Sequence, residues 1–132
     1  MSELIKTLGN LSFKGRLSRQ QFLILYAIGF SGIIFAGFFI GNQNLRTNPL
    51  WSVPLLIYSF CFCTAIIARR LHDLGLPGWL SILNVFIYLT LDFFGLTSVG
   101  YMLEFVLYTI LIFVKGMPKD NKYGKNPLDT QK

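Results

Sequence analysis

Three clusters of polar residues hold whatever chemistry this sequence offers, each set in an otherwise apolar chain. The first is Phe13-Lys14-Gly15-Arg16-Leu17-Ser18-Arg19-Gln20-Gln21-Phe22. Ser18 and Gln21 have the S-x-x-Q spacing of a capping box ahead of an apolar run, so a helix is expected to begin at Ser18. Arg19 then falls in the first turn, where the positive end of the macrodipole disfavours a cation by up to about 1 kcal/mol and calls for compensation. Free backbone N–H groups beside Lys14, Arg16 and Arg19 suit a phosphate, whether a lipid headgroup or another ligand. The plainer alternative is a set of cations lying among anionic headgroups.

The second cluster is Ala68-Arg69-Arg70-Leu71-His72-Asp73-Leu74-Gly75-Leu76-Pro77-Gly78-Trp79. Arg69 and Arg70 favour the negative end of a helix, Gly75 suits a left-handed cap, and Pro77-Gly78 marks the turn into the next element. The His72-Asp73 pair exceeds what a helix stop needs. Asp73 can fix a guanidinium in place, and His72 offers a group that titrates near about pH 6.5. As a metal hydrolase site the pair lacks further ligands, so no metal and no cofactor is expected.

The third cluster is acidic. Asp92 and Glu104 fall inside a long apolar stretch, where a charge costs from about 2.5 kcal/mol at a span centre and must face the bundle, pair or stay protonated. With Asn84 and Thr90 as polar helix contacts they could line a proton or cation path; the alternative is loop carboxylates near the far boundary. Cys61 and Cys63 stand two apart and point to different helix faces, which suits apolar packing and neither a local disulfide nor zinc.

The elements that must position these groups follow from composition. Of 132 residues, 53% are hydrophobic, 14% are charged and 13 are Phe, with a net charge of +6. A chain this small cannot hide so much apolar surface from water, which points to lipid as the solvent and argues against a soluble enzyme or a nucleic-acid module. Phe22 to Gly41 is an uncharged run of about 20 residues, enough for one span, and it exceeds the core of a cleavable signal peptide. Leu50 to Ala68 is a second, with Trp51 at one face and Arg69 and Arg70 at the other. Trp79 to Val114 would reach about 54 Å as one helix and must fold back, with the break around Asp92 to Gly100.

The expectation is an all-α membrane protein, a compact bundle of four short transmembrane helices over 18–41, 50–70, 78–94 and 99–115. An interfacial amphipathic helix over 2–12 (Leu4, Ile5, Leu8, Leu11) precedes it and a cytoplasmic tail over 116–132 follows, in one domain, 1–132. Whether the last two helices cross completely stays open. Eleven cations then share one side (Lys6, Lys14, Arg16, Arg19, Arg69, Arg70, Lys115, Lys119, Lys122, Lys125, Lys132) against Arg46 opposite, which places both termini in the cytoplasm. Gly29, Gly32, Ala36, Gly37 and Gly41 allow close helix approach, within the chain or to a second copy.

Phe13-x-Gly15-Arg16-x-Ser18-Arg19, the loop Ala68 to Trp79 and the closing Tyr123-Gly124-Lys125-Asn126-Pro127 together resemble a bacterial membrane family, domain of unknown function 805. The resemblance covers nearly the whole chain and departs at Asn126, where an Asp is usual. It implies a small, multi-pass protein of the bacterial inner membrane and no particular activity. The residues suggest binding of an anionic lipid or phosphate-bearing ligand through Lys14, Arg16, Arg19, Arg69, Arg70, His72 and Asp73, with anionic membrane lipids as partners, a homo-oligomer allowed and no nucleic acid. The alternatives are a small oligomeric ion or proton transporter using Asp92 and Glu104, and an enzyme acting on a lipid phosphate via His72 and Asp73.

Overall fold

Ser18 starts the first helix through a reciprocal cap. Its N–H donates to Gln21 Oε1 at 3.1 Å, and its Oγ accepts from the Gln21 N–H at 3.4 Å. Four helices follow: α1 (Arg19–Gly41), α2 (Ser52–Asp73), α3 (Leu80–Phe93) and α4 (Thr97–Phe113). The computed structural model describes residues 11–41 and 50–127. Of the surface helix expected over 2–12, residues 2–10 lie outside the described residues, and Leu11 and Ser12 are not helical. Lys6, Arg46 and Lys132 also lie outside them.

α1 and α2 have 23 and 22 residues, about 34 and 33 Å, and both are long and apolar enough to cross a membrane. α3 and α4 are shorter, at 14 and 17 residues. The chain is all-helical among the described residues, apart from one isolated bridge between Asn121 and Gly124.

Two glycines end helices by the same device. At Gly75 (φ +79°) the Leu76 N–H reaches Leu71 O at 2.9 Å, and the Gly75 N–H reaches His72 O at 3.0 Å. At Gly95 (φ +73°) the Leu96 N–H reaches Leu91 O at 2.8 Å, and the Gly95 N–H reaches Asp92 O at 3.0 Å. Both are Schellman closures, which need a left-handed residue that glycine adopts without strain. The α3–α4 turn is therefore only Phe94 to Leu96, tighter than the Asp92 to Gly100 break expected, and Thr97 Oγ1 bridges it by donating to Asp92 Oδ1 at 2.8 Å.

α2 runs three residues past its expected end and so carries His72 and Asp73 in its last turn. The core gathers at this end: Leu17, Phe22, Leu25, Phe62, Ile66, Leu71 and Leu111 are buried together, with Tyr26, Leu107 and Tyr108 packed against them. Farther along, α1 meets α2 through small residues. A Cβ on Gly29 would lie 2.7 Å from Cys63 Sγ, and one on Gly32 would overlap Ser59 Oγ, whereas one on Gly37 would meet nothing. An apolar cleft of about 400 Å³ opens between the two helices beside Gly29, Gly32, Ser59 and Phe62. Outside, Phe38, Phe86, Phe93 and Phe105 are 61–85% exposed, large apolar side chains that the core does not cover.

Candidate functional site

The cationic sequences before α1 and at the end of α2 come together at one end of the bundle. The extended segment before α1 lies along the last turns of α2, with the Leu17 N–H bonded to Arg69 O at 3.3 Å. Arg16 and Arg70 converge on Asp73. Arg16 donates from Nε to Asp73 Oδ1 at 3.0 Å, with Nη2 2.9 Å from the same oxygen. Arg70, one turn before Asp73, donates from Nη1 to Oδ2. All three side chains are almost fully buried.

The remaining donors of these two arginines go to backbone carbonyls. Arg70 reaches Leu111 O at 2.8 Å from Nε, Leu17 O at 3.2 Å from Nη1 and Val114 O at 2.6 Å from Nη2. Leu111 and Val114 belong to the end of α4, whose last carbonyls have no partner in the helix and form the negative end of its dipole. α4 has no basic residue of its own in the last turn, so a guanidinium from α2 supplies its cap. Arg19 adds a weaker contact to Phe113 O at 3.4 Å, which answers the unfavourable cation in the first turn of α1.

Arg16 turns to the tail. It donates to Met117 O at 2.6 Å from Nη2 and to Lys119 O at 2.8 Å from Nη1. The Met117 N–H returns a bond to Asp73 O at 2.8 Å. Gly116 lies against the Asp73 carboxylate so closely that a Cβ would overlap it. His72 is clamped likewise. Its ring stacks on Tyr123 at 3.8 Å and 8°, Nδ1 lies 3.1 Å from Gly15 O, and a Cβ on Gly78 would come within 2.6 Å of Nε2.

Arg69 differs from its neighbour. It is 7% exposed, yet its Nε and Nη2 are buried and have no acceptor among the described residues. Those two nitrogens form the side-on edge of the guanidinium, the same edge that Arg16 presents to Asp73, and it matches a carboxylate or phosphate. The buried end of the bundle thus holds three guanidiniums against one carboxylate. An uncompensated buried charge is costly, and carbonyl dipoles offset it for Arg16 and Arg70 alone.

Of the residues expected to form an anion site, then, the fold joins Arg16, Arg70 and Asp73 in an internal lock, packs His72 beneath the tail, buries Arg69 and leaves Lys14 and Arg19 exposed. The acidic pair is elsewhere and apart. Asp92 is at the α3–α4 turn, while Glu104 accepts from Asn84 Nδ2 at 2.8 Å between the two helices. Among the described residues no group of three His, Cys, Asp or Glu is arranged to hold a metal ion.

A family model described as a protein of unknown function, DUF805, matches residues 10–125. The chain belongs to that family. No curated protein and no solved structure matches it. The matched region of this DUF805 protein holds nearly the whole lock, from Arg16 through Asp73 to Gly124. Sequence reasoning missed the tail's part in it: the carbonyls of Met117 and Lys119, the ring of Tyr123 and the fit of Gly116 were not singled out as contacts. The closing motif was the available signal. Within it, the Asn126 Nδ2 donates to Pro118 O at 2.9 Å, a bond that an aspartate in the same place has no proton to make.

Proposed function

We propose that this protein spans the bacterial cytoplasmic membrane four times, with both termini inside, and binds an anionic, phosphate-bearing lipid headgroup at its cytoplasmic end through Arg69. One observation carries the reading: a guanidinium buried at 7% exposure presents its bidentate edge with no acceptor among the described residues. Arg16 and Arg70 have their donors committed to Asp73 and to carbonyls, so they do not compete for the anion. Lys14 and Arg19, exposed on either side of the Leu17 N–H that bonds Arg69 O, add the positive field that draws an anion in. The two shorter helices fit a locally thinned bilayer or a hairpin whose ends snorkel.

The test is thermal unfolding of the purified full chain with four probes: short-chain phosphatidylglycerol, phosphatidic acid, phosphatidylcholine and inorganic phosphate. The anionic phospholipids raise the midpoint and phosphatidylcholine does not; a shift with inorganic phosphate alone identifies the free ion as ligand. Loss of the shift in Arg69→Met supports the reading, and an unchanged shift in that variant overturns it. The alternative of a lipid-phosphate enzyme gains less support, because His72 is stacked and bonded, and Asp73 is shared between two guanidiniums.

A further inference from the structure

The α3–α4 hairpin holds an acid where packing alone asks only for an amide. Glu104 lies seven residues into α4, about 10 Å from its start, and accepts from Asn84 Nδ2 at 2.8 Å. A glutamine there would accept the same bond. An ionised carboxylate within a span is costly, so the hydrogen bond does not account for the choice of an acid.

Glu104 is also the middle of a string of polar groups. One turn on, Tyr108 shares a helix face with Glu104, and its ring lies 4.9 Å from that of Tyr26 of α1. Tyr26 is seven residues, about 10 Å, from Arg19 at the cationic end. On the other side, a cavity of about 10 Å³ bounded by Asn84, Tyr88, Gly100 and Glu104 adjoins the carboxyl, room for about one water. Tyr88 lines that cavity with its ring 5.9 Å from that of Tyr101, and Asp92, one helical turn on from Tyr88, marks the far turn. The titratable groups facing this string are Tyr26 of α1, Cys63 of α2 through Tyr26, Tyr88 and Asp92 of α3, and Tyr101 and Tyr108 of α4.

We propose that Glu104 is a proton-exchange site inside the membrane region, reached from the cationic end through Tyr26 and Tyr108 and from the far turn through Asp92, Tyr88 and the one-water cavity. A proton arriving at Glu104 forms an Oε–H bond as the donor water or hydroxyl loses its own O–H bond; each relay group accepts one proton as it releases another, so the chain returns to its starting protonation and no oxidant or leaving group is involved. This inference needs the helices to lie in a membrane and is independent of Arg69.

The experiment reconstitutes the full chain in phosphatidylcholine vesicles and follows proton entry with a pH-sensitive dye under an imposed potassium-diffusion potential. Wild-type protein should admit protons at least about tenfold faster than Glu104→Gln, which keeps the Asn84 bond and should unfold no earlier than wild type. Tyr108→Phe, with Glu104 intact, should slow entry by a similar factor and keeps the test decisive if Glu104→Gln misfolds. Equal rates for wild type and a folded Glu104→Gln, or wild-type rates no higher than those of protein-free vesicles, overturn the proposal and leave Glu104 as a helix cement.

Discussion

Arg16 and Asp73 stand 57 residues apart in sequence and meet side-on, Nε and Nη2 lying 3.0 and 2.9 Å from one carboxylate oxygen. Because Arg70 takes the other oxygen, a single carboxylate joins the segment before α1, the end of α2, the end of α4 and the tail. Removing one partner from such a buried pair strands the other charge, at a cost of roughly 3–5 kcal/mol. Asp73→Asn should therefore unfold earlier in a denaturant titration of the purified chain, by about that amount. A loss under about 1 kcal/mol would show that the carbonyls alone hold the two arginines.

Adjacent arginines should respond with opposite sign. Arg70→Met leaves Asp73 Oδ2 and the Leu111 and Val114 carbonyls without their buried donor, and is expected to cost about 3 kcal/mol or more. Arg69→Met removes a buried charge with two unpartnered donors, so without anionic lipid its effect should be neutral or stabilising. With short-chain phosphatidylglycerol at about 100 times its dissociation constant, wild type should gain about 2.7 kcal/mol and Arg69→Met nothing.

Gly116→Ala tests the docking of the tail. The added Cβ has no room beside the Asp73 carboxylate, so the tail must lift and lose the Arg16 contacts to Met117 and Lys119. Trypsin cleavage after Lys119 should become several-fold faster than in wild type. Gly37→Ala, where a Cβ meets nothing, should leave that rate alone and stabilise α1 by up to about 1 kcal/mol.

Sidedness can be read by labelling single cysteines in a background with Cys61 and Cys63 replaced by Ala. With the cations inside, Thr97→Cys at the α3–α4 turn should react with a membrane-impermeant maleimide in intact cells, whereas Leu76→Cys and Lys119→Cys should react only after lysis. Reaction of Leu76→Cys and Lys119→Cys under opposite conditions would require an odd number of crossings between them.

Much of the frame was legible because it depends on neighbours in the chain. The Ser18–Gln21 cap, the left-handed closure at Gly75 and the need for α3 and α4 to fold back all follow from spacing within a few residues or from length against the bilayer. The site was legible only as a set of charges. Whether Arg16 faces a ligand or the tail depends on where residues 117–124 return, and spacing says nothing about a contact across 101 residues.

Arg69 and Arg70 show the division most clearly. Sequence alone established that two guanidiniums stand at the polar end of an apolar helix, since charge avoids the hydrocarbon and favours the carbonyl end of the dipole. It could not tell them apart. One residue of helical rotation, about 100°, turns Arg70 onto the open carbonyls of α4 and Asp73, while Arg69 keeps its fork free of them. That assignment belongs to the packing of α2 against α4, because an acceptor brought in from 41 residues away exists only once the chain has folded.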